Sequence, residues 1–305
     1  MSRAIQWETI PCPLCGSKND EHWRSVHDRF GVIPDQIYSI VSCQDCGFRY
    51  LNPRPDKHSI QSFYSAGEYD PFLSIKDRLT LKDLLYAWIR KFSLWRKRIL
   101  IESFRQEGSL LDVGCGTGEF LRYMRNTGWS VAGVEPDQRA RQFAVGQGLH
   151  VNAGLEALCE RHFDAITLWH ALEHMHELRD ALENLVRLME KDGVLILAMP
   201  NVDSWDMKRY QEEWVALDTP RHLYHFTEKD VARLITGVKL RLIATRNLWL
   251  DTLYNVLYSE NLYHRFFHRR YRPLYMLNSI LGSYIHDFQS TARRASASVY
   301  ILRRE

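Results

Sequence analysis

From Ser109 onward the chain alternates short apolar runs with amphipathic stretches. "LLDV" predicts a buried strand and "GCGTG" a tight turn; "EFLRYMRNTG" predicts a helix closed by glycine, and "SVAGVE" a second strand. These four pieces make a βαβ unit. The alternation continues with a third short strand at the start of "HVNAGLEAL", a fourth in "FDAITLWH" and a fifth in "GVLILAMPN". Two late strands follow, in "LIATRNLWL" and "ASASVYILRRE". Strands that alternate with helices predict an α/β fold with a mostly parallel sheet, helices on both faces, and ligands at the carboxyl ends of the strands.

Before Ser109 the pattern is different. "CPLCGS" and "CQDCGF" place Cys12, Cys15, Cys43 and Cys46 in two Cys-x-x-Cys pairs, each followed by a glycine. Zinc takes four thiolates in a tetrahedron, and two such turns each present two of them, so this spacing predicts a small closed zinc ribbon with no open position for chemistry. The glycines Gly16 and Gly47 suit the positive φ that turns backbone amides toward the sulfurs. The remaining cysteines, Cys115 and Cys159, lack that spacing and read as inert. A chain of 305 residues, 45% hydrophobic, can bury a full core and still carry such a module. The expected organisation is a zinc-binding module over 1–55, a helical linker and substrate lid over 56–104, and a main domain over 105–305 with a helical insertion at about 250–289.

The net charge of +3 is too slight to mark a duplex nucleic-acid binder. A small-molecule substrate is the better expectation. No leader-like segment opens the sequence and no run is long and apolar enough to span a bilayer, so a cytoplasmic address is expected.

In the glycine loop, Gly114, Gly116 and Gly118 remove side chains where a ligand must lie against the backbone, and the helix starting near Glu119 points its free amides there. The spacing is not G-x-G-x-x-G, and Asp112 stands just before the first glycine. A carboxylate there repels a pyrophosphate and welcomes an ammonium group. Glu135, ending the second strand, is placed to accept from both hydroxyls of a ribose. An amino acid joined to a nucleoside without phosphate is S-adenosylmethionine.

The string "LLDVGCGTGEFL" resembles the class I S-adenosylmethionine-dependent methyltransferases, over about residues 105–245 and the final strand. The resemblance implies a seven-stranded Rossmann-like methyltransferase sheet with antiparallel sixth and seventh strands. It also implies a cofactor site built from Asp112, the three loop glycines, Glu135 with the adjoining Pro136, Gly154 and Leu155 by the purine, and Trp169 and His170 at the end of the fourth strand. Methyl transfer to oxygen or carbon of a small acceptor follows: a sugar, a lipid-linked glycan, a quinone-like phenol or a natural-product intermediate. An RNA methyltransferase and a non-catalytic binding protein retaining the fold are the alternatives. The retained Asp112, Gly114, Gly116 and Glu135 speak for catalysis.

"LWHALEHMHEL" resembles the acid-histidine pair of quinone-pathway O-methyltransferases, some of which hold a divalent metal with a carboxylate three residues earlier. Here His170 takes that place before Glu173 and His174, which argues against magnesium, a lover of oxygen ligands. "DTPRHLYHF" has the look of an acceptor-site segment. His222 is expected to be the base that takes the acceptor's proton and His174 the next candidate, with His225 and Tyr224 orienting the base or the acceptor. The tail interleaves aromatics with Arg265, Arg269, Arg270 and Arg272, and reads as a helical lid, a dimer surface or a peripheral membrane contact.

Overall fold

The computed structural model of the protein describes residues 5–64, 81–158, 161–267, 273–289 and 295–305. Five short strands come first: β1 (Trp7–Glu8), β2 (Asp20–His27), β3 (Ile37–Cys43), β4 (Arg49–Leu51) and β5 (Arg54–Pro55). The long helix α1 (Leu81–Glu102) leads to β6 (Ser109–Val113), α2 (Glu119–Arg125), β7 (Ser130–Val134), α3 (Gln138–Gly146), β8 (Val151–Asn152) and β9 (Phe163–Trp169). Next come α4 (Leu178–Leu188), β10 (Met189–Pro200), α5 (Trp205–Tyr210), β11 (Tyr224–His225), α6 (Glu228–Thr236) and β12 (Leu240–Asn247). The helices α7 (Trp249–Phe267) and α8 (Pro273–Gln289) then precede β13 (Ala297–Arg304).

Seven strands form one sheet in the order β12-β13-β10-β9-β6-β7-β8. The five from β10 to β8 pair in parallel, whereas β13 is antiparallel to both β10 and β12. Strand β12, expected to be reversed, therefore shares the direction of the first five, and β13 alone runs against them. The register explains this: Asn247, ending β12, lies opposite Ser298, so the two helices between them return the chain to the end it left.

Side chains alternate across the sheet. Leu110, Ala165, Val194, Ile196 and Ala198 meet Leu94 and Ile101 of α1 and Phe120, Leu121 and Met124 of α2. Their neighbours Leu111, Val113, Ile166, Leu168, Leu195 and Leu197 face the other side. That second core layer holds Leu182 and Leu185 of α4 and Leu234 of α6, and continues into Tyr38, Ile40, Phe48 and Tyr50 of the N-terminal strands. Both faces being covered is why these strands read as unbroken apolar runs.

A second sheet has the order β11-β4-β3-β2. Its edge strand β11 comes from the far end of the chain, with Tyr224 opposite Tyr50 and His225 opposite Arg49. The chain then enters α6 through a capping box in which Thr227 and Asp230 exchange hydrogen bonds.

Helices α7 and α8 turn polar side chains inward. Tyr210 and Ser279 both donate to Glu260, Ser283 donates to Asp206, and Ser259 accepts from the Val215 amide. Their outer faces carry Tyr254, Tyr258, Leu277, Leu281 and Ile285, each close to half exposed. Among the described residues no helix is long and apolar enough to cross a membrane. Residues 65–80 of the expected linker and substrate lid, Cys159, Arg269, Arg270, Arg272 and the side chain of Arg265 lie outside what is described.

Candidate active site

The glycine loop leaves the carboxyl end of β6 with Gly114, Gly116 and Gly118 all at positive φ. Two of them show different needs. A Cβ on Gly114 would come within 2.8 Å of the Ala171 methyl, so this glycine lets the segment after β9 close down on the loop. A Cβ on Gly116 would meet nothing within 4 Å, which leaves its outer side open to a ligand.

Glu135 ends β7 with one oxygen accepting from the Gly116 amide and the other from the Asp137 amide, both at 2.8 Å. The carboxylate so fixes the loop and keeps a lone pair on each oxygen for hydroxyl donors. Burial raises its pKa, and the two amides work against that. Pro136 contributes its carbonyl to Arg141 at 2.9 Å, which pins the turn after β7.

Asp112 is nearly inaccessible and accepts from the Thr167 hydroxyl of β9 at 2.6 Å. Burial lifts its carboxyl to about 7, against the pull of Thr167 and Lys97. Lys97, on α1, places its ammonium 4.4 Å from the Trp169 ring centroid and 5.8 Å from that of Phe120. Burial lowers its pKa, and the nearby Asp251, Asp112 and Glu119 work against that. Sequence reasoning missed this cation, which nothing in its local pattern separates from the neighbouring Arg96 and Arg98. Gly154 and Leu155 follow β8, the neighbour of β7, at the same end of the sheet.

At the end of β9, His170 adopts a positive φ of 55°, uncommon for a residue other than glycine. Its ring lies between Asp251 at the start of α7 and Glu173, 3.3 Å away. Burial opposes a charge there, but the two carboxylates hold the imidazole protonated, with its pKa raised to about 10. Glu173 is fully buried and neither of its oxygens makes a hydrogen bond. Burial works against this anion too, and the neighbouring His170 overcomes it and keeps the carboxyl ionised.

One ring nitrogen of His174, one of His222 and a carboxylate oxygen of Glu173 lie within 4.8 Å of one another. The two rings meet edge to face, 4.7 Å apart. His174 gives its Nδ1 proton to the Arg221 carbonyl at 3.0 Å, with the Tyr64 hydroxyl also 3.0 Å away, and His222 gives its own to the Ala216 carbonyl at 2.8 Å. That tautomer leaves Nε2 of each ring with a bare lone pair. Such a trio can accept a proton from a substrate or hold a divalent cation of the middle transition series.

The structure therefore joins the two histidines that sequence reasoning favoured and adds Glu173 between them. Burial, and then the neighbouring His174 ring, push His222 down to about 4, well under the ordinary imidazole value. His225 is buried beside this group, held at about 3 by burial and by His222, and its Nε2 has no hydrogen bond. Tyr224 points elsewhere: its hydroxyl accepts from Arg54 at 2.9 Å and donates to the His176 carbonyl at 2.6 Å.

The four cysteines form a separate cluster, with Cys12 and Cys46 sulfurs 3.6 Å apart and Cys15 and Cys43 sulfurs 3.5 Å apart. A zinc–sulfur bond of about 2.3 Å implies tetrahedral edges of about 3.8 Å, so this donor set fits zinc and leaves no vertex for water.

Comparison with known proteins agrees with this layout. Malonyl-[acyl-carrier protein] O-methyltransferase of Enterobacter lignolyticus is 29% identical over 133 residues, 41% of this chain and 51% of the relative. Ubiquinone biosynthesis O-methyltransferase of Haemophilus ducreyi is 32% identical over 106 residues, 30% of this chain and 45% of the relative. The chain thus spans about half the length of these curated relatives. Magnesium protoporphyrin IX methyltransferase of Synechocystis PCC 6803, solved with bound SAH, shares the fold at 12% identity and a TM-score of 0.52, over 82% of this chain and 100% of that one. A family profile described as a methyltransferase domain matches residues 86–245, just over half of the sequence, and the chain belongs to that family, the class I S-adenosylmethionine-dependent methyltransferases.

Proposed function

We propose that the protein binds S-adenosylmethionine over Gly114–Gly118 and transfers its methyl group to an oxygen of a small acceptor seated against Glu173, His174 and His222. Glu135 takes the ribose hydroxyls, Asp112 the ammonium group, and Lys97 the carboxylate of the cofactor. The observation that carries the reading is the trio of buried Glu173 and His222 with half-buried His174, of which the segment bearing Glu173 and His174 leans on the glycine loop through Ala171 and Gly114. Methyl transfer is an in-line displacement in which the sulfonium loses its charge, so the site contributes chiefly position and a place for the acceptor's proton. His222 takes that proton. Its low pKa keeps it unprotonated at neutral pH, and the Glu173 carboxylate stabilises the imidazolium as it forms.

Oxygen is favoured over carbon because both relatives described above are named for O-methylation. Acceptors with an apolar portion, such as a quinone-like phenol or a lipid-linked glycan, suit the outward Leu277, Leu281 and Ile285 of α8, which would meet a membrane surface peripherally. Zinc at Cys12, Cys15, Cys43 and Cys46 is structural in this reading.

A second reading is favoured by one observation, the buried Glu173 carboxylate, which meets the His170 ring at 3.3 Å and lies within 4.8 Å of a ring nitrogen of both His174 and His222. There a divalent cation on Glu173, His174 and His222 would take the acceptor oxygen and lower its pKa. Metal analysis separates the two: one metal per chain supports His222 as base, two support the cation.

The test of the main reading is His222→Ala assayed with labelled cofactor and a metabolite extract, followed by the isolated acceptor. Turnover is expected to fall by about 10² to 10⁴, with affinity for S-adenosylhomocysteine changed by less than about threefold. Near-normal turnover across pH 6 to 9 would remove His222 from the chemistry.

A further inference from the structure

We propose that the four-cysteine module is a working wall of the acceptor pocket that holds His222 in place, with Asp28 and Phe48 as its positioning residues. The inference rests on the reading of Glu173, His174 and His222 as the acceptor side of the site.

The segment that carries His222 has little regular structure of its own. Its two-residue strand β11 exists through pairing with β4 of the module. The Leu223 peptide is held on both sides: its amide donates to the Glu173 carbonyl at 2.8 Å, and its carbonyl accepts from the Leu51 amide at 2.9 Å. Arg221, on the other side of His222, is completely buried. Its guanidinium donates to Asp28 at 2.6 Å, to Asp218 at 2.7 Å and to the Phe63 carbonyl at 3.3 Å. Asp28 is fixed in turn by the Phe30 and Val32 amides.

Phe48 follows Gly47 directly after the last cysteine pair. It is fully buried, with its ring centroid 6.0 Å from that of Tyr224 and 5.4 Å from that of Phe226. The cysteine turns are gripped from the other direction, since Arg179 of α4 donates to the Leu14 carbonyl at 2.5 Å and Arg233 of α6 to the Cys46 carbonyl. A module serving only as a tethered docking surface would need none of these contacts.

The cofactor side is held by different means, because both Glu135 oxygens are engaged by Gly116 and Asp137 of the main sheet. Disturbing the module should thus displace His222 and spare the cofactor. The acceptor being unidentified, the probe is S-adenosylhomocysteine with the full-length, histidine-labelled protein at one fixed pH. Asp28→Asn removes the charge from the Arg221 partner without changing its shape, and Phe48→Leu thins the packing under β11 while keeping an apolar residue.

In both variants the His222 ring resonance, assigned with His222→Gln, should shift or broaden while that of exposed His150 does not move. Amide exchange over 215–226 should rise about tenfold or more, with exchange in β6 and β7 unchanged. The affinity for S-adenosylhomocysteine should stay within about threefold of the parent. An unmoved His222 signal with unchanged exchange over 215–226 overturns the proposal. Equal losses at His222 and in cofactor affinity overturn it as well, because general destabilisation has that signature. A parent protein with no affinity for S-adenosylhomocysteine would instead defeat the methyltransferase reading.

Discussion

At the level of single residues, the carboxylates at the strand ends do two things at once. Glu135 holds the glycine loop by accepting from Gly116 and still faces the ligand side, so Glu135→Ala removes both a ribose partner and a loop anchor. The expected outcome is a loss of about 1.5 to 3 kcal/mol in S-adenosylhomocysteine binding, read by calorimetry. Asp112→Ala should weaken binding in the same direction, and unchanged affinity in both variants would contradict the assignment. These two acids, the glycines and the cysteine pairs were legible in the sequence because their chemistry is local, set by spacings of two or three residues. Glu173 entered only by comparison with other sequences, and Lys97 and Asp251 not at all. Asp251 becomes a partner of His170 across 81 residues of chain, and no local pattern encodes such a meeting.

Among elements, the ion pairs around Arg221 tie a loop of the main domain to the N-terminal strands, with Asp28 and Arg221 separated by 193 residues. Burial disfavours ionisation of Asp218, but Arg221 and Arg29 outweigh it and depress its pKa far below the ordinary carboxylate range. A depressed native pKa adds stability above the unfolded value near 4 and loses it as the pH falls toward the native one. Asp218→Asn should therefore destabilise by about 3 to 5 kcal/mol at pH 7, and the gap to the parent should narrow as denaturation is followed from pH 5 toward pH 2. A gap independent of pH would show that the charge contributes nothing. The strand β11 was hidden from sequence reasoning for a related reason: two residues carry no periodicity, and their extended form is imposed by β4. Helix α8 raises the opposite difficulty, since Ser279 and Ser283 face inward and Leu277 and Leu281 outward. Ser283→Leu should lower the melting temperature by several degrees through overpacking against Asp206, whereas Leu281→Glu should leave it within about a degree. Scanning calorimetry on both variants checks the orientation of this helix.

For the molecule as a whole, one of the two core layers runs without a break from the sheet into the cysteine module. Purification without added zinc should still give one metal per chain on the four cysteines, with a second metal only if Glu173, His174 and His222 hold one. Slow chelation should raise the reactivity of the four thiols and lower the denaturation midpoint of the entire chain in a single transition. A module that melts alone, leaving the main transition in place, would refute that coupling. The overall α/β plan was readable from the alternation of strands and helices, but the direction of β12 was not, because it depends on where α7 and α8 return the chain. The place of β13 also governs how the protein can be made. This strand lies between β10 and β12, yet it follows both of them in the sequence. While the chain emerges from a ribosome, β10 keeps a bare edge and β12 has no neighbouring strand until β13 has followed α7 and α8. Closure of the sheet is therefore a late event, and a nascent chain stalled after α8 should be captured by holdase chaperones until residues 297–304 arrive.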